Sequence, residues 1–205
     1  SGFKIALRDL SIRGAGDILG DEQSGFIDSV GMELYMKLLD EVMTGKEEDE
    51  KKEENDQIFA SRHIPSSYIN HDPVRIEIHK RIADLNKLTD IDTLKNELID
   101  RFGPLDPELM NYMYEKLYKK LGSKIGIEKT IKEAYAVKMV LSIKASELID
   151  GLKLLEASSL SKTPIKLGMN KEHIEIEMNI KNFDEHWLFL ACVFIENYLN
   201  HLEVI

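Results

Sequence analysis

Residues 72–122, DPVRIEIHKRIADLNKLTDIDTLKNELIDRFGPLDPELMNYMYEKLYKKLG, contain three helix beginnings and two helix stops in fifty-one positions. Asp72 and Pro73 form an N-cap and first-turn pair, with Val74, Ile78, Ile82 and Leu85 along one helical face. Thr89 and Asp92 make a second capping signature, followed by Ile91, Leu94, Leu98 and Phe102 and stopped by Gly103 and Pro104. Asp106 and Pro107 open a third helix, with Leu109, Met113, Leu117 and Leu121 on its buried side and Gly122 as its expected end. Three amphipathic helices in succession need an apolar partner layer, and the rest of the chain must supply it.

Downstream the texture changes. Lys124 to Lys129 and Ala134 to Ser142 carry β-branched residues in partial alternation, and a helix is expected around Glu147 to Ala157. Ile174, Ile176, Met178 and Ile180 alternate with Glu175, Glu177 and Asn179, which predicts a strand with one wet face. Gly168 to Lys171 is the expected turn joining it to Ile165–Leu167, and so short a connection implies antiparallel pairing. A final helix from Asp184 to Leu202 presents Trp187, Leu190, Ala191, Phe194, Ile195 and Tyr198, a broad face suited to covering the sheet. The class is α+β: several helices packed with a small antiparallel sheet, over residues 57–205. A short strand-like segment, from about Ile58 to Pro65, opens this unit.

Upstream, residues 46–56, KEEDEKKEEND, hold no apolar side chain and can bury nothing to offset the entropy of ordering, so they are expected to be a flexible charged linker. An acidic strip that imitates nucleic-acid phosphate is the other reading of such a run. Residues 1–45 form a third region. Val30, Leu34, Leu38, Leu39 and Val42 recur at helical spacing between Asp28 and Met43, with Gly45 as a stop. Before them, Gly14, Gly16, Gly20 and Gly25 fall within twelve residues, too dense for a packed helix or strand. A backbone of this kind bends or approaches something closely, and Arg13 and Gln23 stand within it as hydrogen-bonding groups that can grip phosphate or follow a moving neighbour.

This segment, ALRDLSIRGAGDILGDEQSGFIDSVG from Ala6 to Gly31, resembles the region just after the helicase motifs in the bacterial transcription-repair coupling factor family, and Leu10 to Gly25 is similar to RecG-type fork-regression helicases. Asp9, Leu10, Arg13, Gly14, Gly16, Leu19, Gly20, Gln23, Ser24 and Gly25 carry the likeness, GFIDSVGMELY (Gly25 to Tyr35) narrows it to the coupling factors, and ELIDRFGPLDPEL (Glu97 to Leu109) matches their C-terminal domain. The resemblance implies that Arg13 and Gln23, with Gly14, Gly16 and Gly20, belong to a translocation motif coupling an ATP-driven motor to duplex DNA. It implies an intact protein that uses ATP and magnesium, displaces stalled RNA polymerase and recruits the excision-repair damage-recognition protein. It further implies that the C-terminal domain packs on an N-terminal module shaped like the excision-repair helicase subunit. Glu97 and Asp100, three apart on one helix face, are the residues it assigns to that contact.

Composition restricts what this chain does alone. The net charge is −10, with four basic and eight acidic groups in residues 1–45, three and seven in 46–56, and twenty and twenty-two in the remainder. No part is basic, so strong autonomous DNA binding is not expected, and any DNA contact is as one lip of a larger channel. No GxxxxGK[ST] phosphate loop and no GxSxG elbow occur, so this chain alone is not expected to hydrolyse ATP or to act as a serine hydrolase. His63, His71 and His79 are spaced too widely for one metal site, and none is expected. The methionines, among them Met32, Met36, Met110 and Met113, are read as core filling, and the single cysteine, Cys192, lies within the apolar run Trp187–Ile195 and is read the same way. That run is far short of the roughly twenty residues that cross a bilayer, and Ser1 opens no signal peptide, so a cytoplasmic setting is expected. The abrupt start at Ser1 suggests a piece of a longer protein. A polymerase-binding adaptor without a DNA role is the competing class, for which Arg13 and Gln23 would have no use.

Overall fold

The computed structural model describes residues 64–202. The Gly-rich segment, the helix expected over residues 28–43 and the charged run 46–56 lie outside the described residues. So does the expected strand ending at Pro65, apart from Ile64 and Pro65, which lead into a turn at 66–68 instead of pairing.

The described chain runs α1 (Asp72–Ala83), α2 (Leu88–Phe102), α3 (Pro107–Ile125), β1 (Ile127–Lys132), β2 (Ala136–Leu141), α4 (Ile143–Leu148), α5 (Gly151–Ser159), β3 (Ile165–Asn170), β4 (His173–Asn179) and α6 (Trp187–Leu202). The four strands form one antiparallel sheet in the order β1-β2-β4-β3. The α+β expectation for this part of the chain holds.

One apolar core joins the two halves. Ile78, Ile82, Ile91, Leu94 and Leu98 from α1 and α2 meet Leu109, Met113, Leu117 and Leu121 from α3, and these continue into Leu188, Ala191, Phe194 and Ile195 of α6. Val137, Met139 and Leu141 of β2 and Ile176 and Met178 of β4 close it from the sheet side. The period-2 pattern of β4 works as the sequence implies: Lys138 stands opposite Glu177 on the other face, with its ammonium 3.6 Å from Glu175.

Local chemistry moves several boundaries. Asp72 is the first helical residue of α1, not its cap; its carboxylate pairs with Arg75, whose guanidinium also donates to the Ile69 carbonyl. Helix α2 starts at Leu88, earlier than the Thr89 and Asp92 signature implies, because Asp90 reaches back and accepts from the backbone N–H of Asn86 at 2.9 Å and of Lys87 at 3.2 Å. The Asp106 cap of α3 is as expected, accepting from Glu108 N–H at 2.8 Å.

Gly122 does not end α3. It is buried inside the helix, where a Cβ would come within 3.3 Å of the Ile127 side chain, so glycine there permits close approach of β1. The stop is Gly126, at φ 82°. Ser142 does not close β2 but caps α4, accepting from Ala145 N–H at 3.1 Å. The single helix expected around Glu147 to Ala157 is two, because Asp150 accepts from the N–H groups of Leu152 and Lys153 and starts α5 afresh. Gly168 lies within β3, and the hairpin turns instead at Lys171 and Glu172, with φ values of 44° and 69°. Helix α6 begins at Trp187, three residues after Asp184.

Cys192 is buried as expected, and its thiol lies 3.5 Å from the Tyr114 carbonyl. Met113 is fully buried and Met110 half-buried, which agrees with core filling; Met32 and Met36 lie outside the described residues.

Candidate functional site

The segment Glu97 to Gly103 makes up the last turns and the C-cap of α2, and most of its residues are held by specific partners. The Glu97 carboxylate accepts both N–H groups of the Arg81 fork, each at 2.6 Å, and a third from Arg101 at 3.0 Å. Arg81 comes from α1, so this bidentate pair ties the two helices together across their exposed edge. Hydrogen bonding to Arg81, outweighing partial burial and reinforced by Arg101, holds the Glu97 carboxyl down to about 2.

Leu98 enters the core. Arg101 lies over the Phe102 ring at 4.9 Å, and that ring meets Tyr68 edge-on at 5.9 Å between centroids. The Tyr68 hydroxyl donates to the Gly103 carbonyl at 3.0 Å, with the Leu98 carbonyl also within reach at 3.2 Å. Gly103 itself adopts φ 85° and ψ −166°, a conformation essentially reserved for glycine. The helix end is therefore braced from two sides, by Arg81 and by the chain before α1.

Two residues of the segment are left open. Ile99 is 39% exposed and Asp100 is exposed without an ion-pair partner among the described residues. Glu97 and Asp100 do share a face, but they are not a matched pair of free charges, because Glu97 is already neutralised within the domain. Sequence spacing missed this: the partner Arg81 is sixteen residues away, and nothing in either helix's own periodicity marks it.

Two further polar pairs lie inside the fold. His79 and the Tyr112 hydroxyl are 2.7 Å apart, and Tyr118 shares a 2.6 Å hydrogen bond with Thr130. Burial raises the Tyr118 phenol well above its usual range, so it stays protonated and binds α3 to β1. All four residues are buried, and both pairs are read as structural. Among the described residues no three His, Cys, Asp or Glu side chains are grouped to hold a metal ion, and no helix is long and apolar enough to cross a membrane. Arg13, Gln23, Gly14, Gly16 and Gly20 lie outside the described residues.

Comparison with known proteins bears on the same segment. Residues 58–152 match the TRCF domain family. Over 92% of its length the chain is 36% identical to a transcription-repair-coupling factor of Bacillus subtilis, and over 94% it is 33% identical to that of Staphylococcus haemolyticus. A Staphylococcus aureus transcription-repair-coupling factor is 34% identical over 92% of the chain. The chain spans about one-sixth of the length of these relatives. Among solved structures, the C-terminal domain of a transcription-repair coupling factor superposes with a TM-score of 0.57, at 21% identity, covering 67% of this chain and 86% of that one. The described unit thus has the fold of the C-terminal domain of a transcription-repair coupling factor, and the stretch that includes the braced Glu97–Gly103 segment is similar to the TRCF domain.

Proposed function

We propose that this chain is the C-terminal part of a transcription-repair coupling factor, in which residues 1–45 carry the translocation motif and the domain after the linker contacts the rest of the protein. On this reading the intact protein is an ATP- and magnesium-dependent translocase on double-stranded DNA that displaces stalled RNA polymerase and recruits excision repair. Arg13 and Gln23 link the motor to the Gly14–Gly20 loop. The C-terminal domain closes on an excision-repair-like N-terminal module and masks the surface used by the damage-recognition protein.

The observation that carries the regulatory part is the braced end of α2. A helix terminus held by Arg81 and Tyr68 presents Ile99 and Asp100 on a rigid support, an apolar contact beside an unpaired charge. A charge at the rim of such a contact sets the lifetime of the closed state more than its gross affinity. In this arrangement Asp100 meets the module directly, and Glu97 positions the helix end and Arg101.

The test uses the intact protein. Asp100→Ala, alone and with Glu97→Ala, is expected to open the closed state and raise the measured affinity for the damage-recognition protein. Unchanged affinity in both variants would remove the contact. For the motor part, Arg13→Ala is expected to abolish translocation with ATP binding near normal, and Gln23→Ala to produce a smaller loss. Full-speed translocation by Arg13→Ala overturns that role.

A further inference from the structure

The sheet has two outer strands, and their free edges are not alike. At one side β1 carries Glu128, Lys129 and Lys132 and a bulge between Ile127 and Lys129, devices that keep an edge strand from pairing further. At the other side β3 has Lys166 as its one charged residue and runs in unbroken register against β4. Nothing in β3 itself blunts its edge.

Backbone alternation decides which groups of β3 are open. The Pro164 carbonyl accepts from Asn179 N–H at 3.0 Å, so at the even positions the chain points its backbone groups at β4. Lys166, Gly168 and Asn170 follow, with Asn170 opposite His173 across the two-residue turn. Ile165, Leu167 and Met169 therefore turn their N–H and C=O groups outward, where none has a partner among the described residues. Their side chains share the face of Met178 and Ile176, and Met169 is 73% exposed. Such a row of open backbone groups is completed by another strand.

We infer that the β3 edge is a two-fold contact between copies of this chain, in which β3 pairs antiparallel with β3 of the second copy about Leu167. In such a pair, residues equally distant from the centre stand opposite one another on the same face. Leu167 then meets Leu167 of the second copy, Ile165 meets Met169 and Met169 meets Ile165. Each of these pairs exchanges two hydrogen bonds through the outward backbone groups, so every open group of the edge is used. On the other face Lys166 meets Gly168, and the strand's one charge opposes no like charge. A centre at Gly168 instead sets Ile165 opposite Lys171, in the turn, and a centre between two residues sets the apolar face against the wet one. The blunted β1 edge prevents further growth, so the assembly closes at two copies and joins two four-stranded sheets into one.

Sedimentation equilibrium of the 205-residue chain, from about 20 µM to about 1 mM, reads the association, which so short an edge makes weak. A monomer–dimer equilibrium is expected. Met169→Pro leaves the bonds to β4 in place, because the N–H it removes faces outward, and it should abolish the dimer by deleting a donor to Ile165 of the second copy, twice by symmetry. Gly168 tests the register. Nothing lies within 4 Å of a Cβ added there, so a longer side chain fits. Gly168→Glu should tighten the dimer severalfold by facing Lys166 of the second copy, and Gly168→Lys should loosen it severalfold. An unchanged circular dichroism spectrum verifies the fold of each variant. A chain that stays monomeric at about 1 mM overturns the inference. So does a dimer indifferent to Met169→Pro, or one on which Gly168→Glu and Gly168→Lys act alike.

Discussion

Arg81 and Glu97, on different helices, are joined by two parallel hydrogen bonds of 2.6 Å, and Arg101 adds a third to the same carboxylate. Both side chains are about a third exposed, so the pair's contribution to stability is about 1 kcal/mol despite the favourable geometry. Because the folded carboxyl titrates at about 2 against an ordinary value of 4.5, that contribution is present in full above pH 4.5 and is lost as the pH falls toward 2. Urea unfolding of wild type and Glu97→Gln should therefore differ at pH 7, and the difference should shrink steadily below pH 4.5. A gap undiminished at pH 2 would mean that the variant acts through something other than this carboxylate.

Gly126 and Gly103 share nearly the same positive φ but not the same surroundings. At Gly126 (φ 82°) a Cβ would lie 2.2 Å from the Ala145 Cβ, whereas at Gly103 (φ 85°) nothing lies within 4 Å. Gly103→Ala is expected to cost about 1–3 kcal/mol, the backbone strain alone, because at ψ −166° it lies in a region that only glycine adopts freely. Gly126→Ala adds a steric clash with the start of α4 and should cost at least about 2 kcal/mol more. Equal thermal shifts in the two variants would contradict the close approach of α4 to the α3 terminus.

Cys192 is enclosed on α6, and burial, with the nearby Glu196 carboxylate adding to it, pushes its thiol well above the usual range. Thiolate is the reactive form, so the native chain should leave a disulfide reagent such as Ellman's reagent unreacted at pH 8. One equivalent should react on unfolding in denaturant. Rapid labelling of the native protein would show that α6 opens locally.

The β3–β4 turn places Lys171 and Glu172 at φ 44° and 69°. Both are L residues with a Cβ in a left-handed turn, where Asn-Gly is the favoured pair. Lys171→Asn with Glu172→Gly should raise stability by about 1 kcal/mol, measured as a higher denaturation midpoint with an unchanged urea slope. A lower midpoint would indicate that one of the replaced side chains contributes more than the strain it carries.

The net charge of −10 also has a direct consequence for the chain in isolation: duplex DNA should bind weakly or not at all at physiological salt, since neutralising phosphate supplies most non-specific affinity. Submicromolar, salt-sensitive binding in an anisotropy titration would overturn that expectation.

Much of the fold is local in origin and could be read from residue order. The apolar stripes of α1, α2, α3 and α6 and the alternation of β4 depend only on the 3.6- and 2-residue periods, so Leu98, Leu117, Phe194 and Ile176 could be assigned to the core without knowing what they touch. The Asp106–Pro107 start of α3 is legible for the same reason, because a cap reaches only two or three residues. Where two glycines compete within a few residues, only tertiary structure chose between them. Gly126, not Gly122, ends α3 because β1 must pack on Gly122, and α4 leaves no room for a side chain at Gly126. The candidate contact surface divides in the same way. The segment ELIDRFG could be singled out as a sequence, and Glu97 and Asp100 are equivalent in it. Arg81, brought alongside by the packing of α1 on α2, neutralises one and leaves the other open, and a pairing across sixteen residues and two helices has no period by which a sequence could announce it.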